Sequence, residues 1–138
     1  MMQLNGACLC GNVQITIPEI TEEITVCHCQ MCQKFFGSSF LSLPGLSAEQ
    51  FSLQGQKFVQ RYASSQWAER GFCKNCGSSL FYHALGEDYF FPTGIFEGVT
   101  GKIVQEIFYN KKPEFYQLQN DAPKLSEKEF LAHLFEGK

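Results

Sequence analysis

The grouping of its seven cysteines constrains this chain more than any other feature. Three stand together in Cys27-His28-Cys29-Gln30-Met31-Cys32, with a Cys8-Leu9-Cys10 pair before them and a Cys73-Lys74-Asn75-Cys76 pair after. Zinc chemistry divides on that count. Four protein ligands close a structural site, whereas three leave a position for water or substrate. The middle group therefore reads as the working site and the outer pairs as two half-sites that complete one tetrahedral brace. Another partition stays open, in which Cys27, Cys29 or Cys32 joins Cys73 and Cys76 and leaves Cys8 and Cys10 unused.

The geometry of the groups can be argued locally. An extended approach to Cys29 points Cys27 and Cys29 to one side of a strand and His28 to the other, since side chains two apart share a face. A turn after Cys29 then carries Cys32 back over the same spot. Cys73-Lys74-Asn75-Cys76-Gly77 has the form of a metal knuckle, in which a glycine permits the tight reversal beneath the metal, and Cys8-Leu9-Cys10-Gly11 ends in the same way. His28, on the face opposite its neighbours, is not expected to be a ligand.

At 138 residues the chain has the length of one domain with a modest core, and 14 Phe with 5 Tyr make that core largely aromatic. A formal charge of −3 gives no basic face for nucleic acid. Seven thiolates set against two zinc dications carry that charge to −6, so an anionic substrate needs local cationic help. The opening Met1-Met2-Gln3-Leu4-Asn5-Gly6 lacks the basic head and apolar stretch of a signal peptide, and no apolar run approaches a membrane span. The expectation is a cytoplasmic protein in a reducing compartment, where clustered cysteines are more often metal ligands or catalysts than disulfides.

Asn12 to Ile17 alternates, with Val13, Ile15 and Ile17 on one face, as a half-buried strand that Pro18 is expected to end. Ile24, Val26 and His28 alternate with Thr25, Cys27 and Cys29 in a second strand leading into the cysteines. A turn or single helical turn over Gln33 to Gly37 precedes a third strand, Ser38 to Leu43, closed by Pro44-Gly45. Further strands are predicted at Phe51 to Leu53, Lys57 to Tyr62, Gln66 to Phe72, Ser79 to His83, Tyr89 to Thr93 and Ile103 to Tyr109. Short strands at this spacing make one antiparallel β domain over residues 1–138. A helix closes the chain: Ser126 and Glu129 form a capping box, Phe130 with Leu134 and Leu131 with Phe135 make apolar pairs, and Gly137 serves as the stop.

Three blocks of this sequence resemble the glutathione-dependent formaldehyde-activating family: Gly6-Ala7-Cys8-Leu9-Cys10-Gly11-Asn12-Val13, Cys27-His28-Cys29-Gln30-Met31-Cys32-Gln33-Lys34, and Arg70-Gly71-Phe72-Cys73-Lys74-Asn75-Cys76-Gly77-Ser78. The resemblance implies a mainly β fold, an Mss4-like β-tent of short antiparallel strands with a C-terminal helix, stabilised by zinc. It implies two zinc ions, a structural one on Cys8, Cys10, Cys73 and Cys76 and a catalytic one on Cys27, Cys29 and Cys32. It also implies a carbon–sulfur lyase that combines formaldehyde with glutathione to give S-hydroxymethylglutathione. Toward the carboxyl end the chain departs from the family. Gly94-Ile95-Phe96-Glu97-Gly98 stands where relatives have a Leu-Asp-Asp-like segment after a glycine, and Glu106-Ile107-Phe108 where they have His-Ile-Phe.

The ligand set constrains the chemistry independently of any family. Three thiolates more than cancel a zinc dication, so such a metal is a weak Lewis acid and a poor source of hydroxide at neutral pH. A fourth sulfur suits the open position, and binding there favours the thiolate of a substrate over its thiol. The expected substrates are a small-molecule thiol and a small aldehyde, with thiolate supply and positioning as the protein's part. Lys34, Arg61 and Arg70 are candidate partners for substrate carboxylates, although ion pairing within the fold accounts for each more simply. Phe35, Phe36 and Trp67 are read as core aromatics before pocket walls, and Ser38 and Ser39 as strand residues before hydrogen-bond donors. His83 and His133 have no partner at a recognisable spacing. Two other classes compete with the enzyme. One is a zinc-stabilised protein-binding module, whose central site a fourth protein ligand closes; the other is a thiol redox enzyme with Cys32 as nucleophile, active without zinc.

Overall fold

Ile15 and Ile17 are fully buried on one face of β2 (Gln14–Ile20), with Val13 buried just ahead of them, so the alternation of the sequence becomes an inward-facing stripe. This computed structural model describes residues 1–136, and the helix stop expected at Gly137 lies outside the described residues. β2 is flanked by antiparallel neighbours, β1 (Met2–Ala7) on one side and β5 (Ser52–Gln54) on the other. The strand does not end at Pro18. Pairing slips by one residue between Leu4↔Ile17 and Met2↔Ile20, and β5 reaches only Gln14 to Thr16, so Pro18 falls at a bulge where a missing N–H removes no ladder bond. β1, absent from the strands predicted above, turns Met2 and Leu4 inward and Gln3 and Asn5 outward.

These strands belong to the first of two compact units, which comprises Met1–Glu22 and Leu43–Thr100. Its second sheet is antiparallel throughout, in the order β6 (Val59–Ala63), β7 (Ala68–Cys73), β8 (Ser79–Ala84), β9 (Tyr89–Phe90). Gly71 in β7 makes room for a ring: a Cβ there would lie 2.3 Å from Cζ of Phe81. Phe81 and Phe91 are fully buried, and Phe51 meets the Tyr89 and Phe91 rings edge-on at 5.1 and 4.9 Å, so this core is as aromatic as the composition implies.

The second unit comprises Glu23–Ser42 and the residues from Gly101 on. Its central strand β3 (Glu23–Cys27) pairs antiparallel with β4 (Phe40–Ser42) and parallel with β10 (Lys102–Ile107), which departs from a purely antiparallel architecture. Between β3 and β4 lies α1 (Gln30–Phe36), longer than the single turn predicted and stopped by left-handed Gly37. Phe36 stacks on Phe40 at 4.0 Å, and its ring meets that of Phe35 at 5.0 Å, so both are packing aromatics. α2 (Glu127–Glu136) opens on the capping box: Glu129 N donates to Ser126 Oγ at 3.1 Å and Ser126 N to Glu129 Oε1 at 3.0 Å. No helix among the described residues is long and apolar enough to cross a membrane.

Candidate metal centres

The two outer cysteine pairs build matching knuckles in the first unit. Cys8 N donates to Val13 O and Gly11 N to Cys8 O; in the same way Cys73 N donates to Ser78 O and Gly77 N to Cys73 O. Gly11 at φ 83° and Gly77 at φ 82° take the left-handed conformation that turns each loop back under its sulfurs. The result gathers Cys8, Cys10, Cys73 and Cys76 with all four Sγ atoms within 4.8 Å of one another. Cys8 and Cys10 sulfurs lie 3.5 Å apart, and Cys10 and Cys73 sulfurs 3.8 Å. Metal–sulfur bonds of about 2.3 Å set the edge of a tetrahedron at about 3.8 Å, so the four donors fit a zinc ion. Cys8 and Cys73 are buried while Cys10 is exposed.

Polar groups already face these sulfurs. Val13 N donates to Cys8 Sγ at 3.3 Å, and the Ser78 hydroxyl lies 3.2 Å from Cys76 Sγ while accepting from Leu9 N at 2.9 Å. Burial pushes the Cys8 thiol up to about 11, whereas the Ser78 hydroxyl pulls Cys76 down to about 5 and the Asn75 side chain holds Cys10 below its ordinary value. Adjacent thiolates repel, and a cation among them removes that cost.

The inner group belongs to the second unit. Cys27 ends β3, Cys29 is the extended N-cap of α1 and Cys32 falls in its first turn, which is the strand-then-turn geometry argued from the sequence. The three Sγ atoms lie within 4.8 Å of one another, so this group remains separate from Cys73 and Cys76 and the alternative partition falls. Cys32 N donates to Cys29 Sγ at 3.3 Å. Hydrogen bonding with the Cys29 and Cys32 thiols, followed by burial, pushes Cys27 far above its ordinary value, the condition of crowded sulfurs that a cation relieves. Three soft donors suit zinc as the outer four do.

His28 is fully buried and both ring nitrogens are engaged: Nδ1 lies 2.6 Å from Ser39 Oγ and Nε2 lies 2.7 Å from Glu106 Oε1. Beyond them, Ser39 Oγ meets Tyr116 OH at 2.5 Å, while Glu106 Oε2 accepts from Asn120 Nδ2 at 3.0 Å and sits 3.5 Å from Lys124 Nζ. The His28 backbone is held as well, its N–H on Ile107 O and its carbonyl on Gln33 Nε2 at 2.7 Å. Burial works against the charge of Glu106, but the hydrogen bonds from His28 and Asn120 hold its carboxyl below the ordinary range. This network positions the segment between Cys27 and Cys29. Sequence reasoning placed His28 off the ligand face but gave it no partner and assigned Ser39 no more than a strand role.

The remaining candidates are spread through the fold. Arg61 pairs with Glu69 at 2.6 Å and donates to Tyr89 OH at 3.2 Å; His83 Nδ1 shares the same Glu69 oxygen at 2.7 Å, a partner that its spacing did not reveal. Arg70 is buried with its guanidinium 4.8 Å from the centre of the Tyr82 ring. Lys34 is exposed in the last turn of α1, and His133 lies in α2. Trp67, read as core, is 67% exposed.

The sequence pattern described as "Glutathione-dependent formaldehyde-activating enzyme" matches residues 3–111. A protein of Schizosaccharomyces pombe named as an uncharacterized lyase is 29% identical over 123 residues, spanning 87% of this chain and 88% of that one. A Rhodobacter sphaeroides protein of known crystal structure is similar with a TM-score of 0.57 and 23% identity, over 72% of this chain and 96% of its own, a likeness of fold alone. The matched stretch runs from β1 past β10 and takes in all seven cysteines, and on that ground this chain belongs to the glutathione-dependent formaldehyde-activating enzyme family.

Proposed function

We propose that this protein is a carbon–sulfur lyase that adds a thiol, glutathione in the first instance, to formaldehyde or another small aldehyde. Cys27, Cys29 and Cys32 hold a catalytic zinc, and Cys8, Cys10, Cys73 and Cys76 hold a structural one. The observation that carries the reading is the count of donors: four sulfurs gather in one group and three in the other, and His28, the nearest candidate for a fourth, has both ring nitrogens committed at 2.6 and 2.7 Å. The family supplies the substrate class and the lyase name of the Schizosaccharomyces pombe relative agrees with it.

When bound, zinc supplies a soft position that favours the thiolate form of an incoming thiol. The chain's own part is preorganisation. The Cys32 N–H on Cys29 Sγ and the Gln33 N–H on Cys29 O fix one sulfur-bearing residue from two sides, and the buried His28 holds the strand end beside it. In the reaction the thiol S–H breaks, a C–S bond forms at the carbonyl carbon, and the carbonyl oxygen receives the proton, so no oxidant or reductant is needed.

The test is an adduct-formation assay with glutathione and formaldehyde, run on wild type and Cys32→Ser with zinc measured in both. Wild type is expected to carry two equivalents and to exceed the spontaneous rate, and Cys32→Ser to keep one equivalent and lose that excess. Equal rates would remove the inner cysteines from the reaction. Activity that survives removal of all zinc would favour thiol redox chemistry instead.

A further inference from the structure

The second unit carries an open cavity of about 540 Å³, lined by Tyr109, Lys112, Glu114, Phe115, Tyr116 and Gln117. That volume is within the range of small-molecule sites, about 300–1,000 Å³. Its wall is fastened to the segment that bears the inner cysteines. The Tyr109 ring meets His28 edge-on at 5.7 Å, Tyr116 OH meets Ser39 Oγ, and Gln33 Nε2, one residue past Cys32, bridges His28 O and Lys111 O at 2.7 and 3.1 Å. At the base of the loop Phe108 has φ 53°, the one positive φ outside glycine among the described residues. Such a conformation is unfavourable for a bulky side chain and persists where surrounding contacts over-determine it.

Within this wall the charge of Lys112 is set in place. Its ammonium donates to Pro113 O at 2.6 Å and to Tyr116 O, and faces the Tyr116 and Tyr109 rings at 4.9 and 5.8 Å. An ammonium has three donors, so two bonds to the chain fix it and one remains for a ligand. Glu114 and Gln117 are exposed beside it, and Phe115 is 85% exposed, an aromatic surface available to cover a bound group. One cation, one anion, one amide and several rings match a zwitterionic amide, not a simple alkyl chain.

Building on the lyase reading above, we propose that this cavity binds the amino-acid end of a peptidic thiol, with Lys112 on a carboxylate and Glu114 on an ammonium, and so selects glutathione-like thiols over alkyl thiols. The test uses zinc-loaded protein and two probes that separate the cavity from the inner cysteines. S-methylglutathione has a blocked sulfur and reads the cavity by calorimetry without turnover; 2-mercaptoethanol lacks the amino-acid end and reads the inner group by rate. S-methylglutathione is expected to bind wild type, about tenfold more weakly to Lys112→Gln and about threefold more weakly to Glu114→Gln. The ratio of kcat/KM for glutathione to that for 2-mercaptoethanol should fall with the same ranking. Glu114→Gln is an isosteric change at an exposed position, so its result stands even where loss of the two Lys112 bonds disturbs the loop. No binding of S-methylglutathione, or equal binding to wild type and Glu114→Gln, overturns the proposal while leaving the lyase reading in place. Failure of the lyase reading appears separately, as absence of turnover with both thiols.

Discussion

Glu106 shows how much a single side chain decides in this unit. It is 1% exposed, and its two oxygens serve His28, Asn120 and Lys124. Truncation by Glu106→Ala leaves buried partners without their acceptor, and the expected cost is about 3–5 kcal/mol in urea unfolding, against about 1–3 kcal/mol for Glu106→Gln, which keeps an acceptor for His28. Zinc analysis on Glu106→Ala should show loss from the inner group with the outer four sulfurs still loaded. Equal stability of Glu106→Ala and wild type would contradict the positioning role. The inner cysteines were legible in the sequence because their spacing is local and strand alternation fixes which sides they face. The partner of His28 was not, because it lies 78 positions away and a solitary acid in a strand has no period of its own. The signal on offer was a charged residue alternating with Val104 and Phe108, at a place where the chain leaves the family pattern.

Among the elements, β7 and β8 depend on the pairing of a residue without a side chain and one with a large ring. Gly71→Ala would put a methyl group 2.3 Å from the Phe81 ring, in the interior of a sheet where neither strand has room to shift. The expected loss is about 1–3 kcal/mol, read as a lowered thermal midpoint. An unchanged midpoint would mean that the Phe81 ring is free to move aside. β2, β3 and the cap of α2 could be read from alternation and from the Ser126–Glu129 pattern, because each signal is contained in a few consecutive residues. β1 has only Met2 and Leu4 to alternate before Gly6, too short a run to register as a strand. The parallel pairing of β10 with β3 is equally hidden, since the partners' own sequences say nothing about relative direction. Pro18 misled for a specific reason: the rule against proline within a strand assumes an unbroken ladder, and this ladder has a bulge.

Across the whole molecule, acid is expected to act on both units. Glu69 in the first and Glu106 in the second are each held below the ordinary carboxylate range, burial opposing the shift and His83 with Arg61, or His28 with Asn120, prevailing. A carboxyl depressed in the folded state stabilises the fold above its unfolded value of about 4.3, and that contribution disappears as pH falls through the lower folded value. Urea midpoints should therefore be insensitive to these two groups above about pH 5 and decline below about pH 4, the decline being smaller in Glu69→Gln and Glu106→Gln; a decline unchanged in both would assign it to other groups. Parallel partners Cys27 and Ile107 are 80 positions apart, and everything from Leu43 to Thr100 belongs to the other unit. On a ribosome adding about 5–20 residues per second, β3 and its thiols emerge about 4–16 s before the strand that completes their sheet. Both knuckles are out by the time Cys76 is added, so a nascent chain has the means to sequester its outer thiols while the reactive ones still await a neighbour.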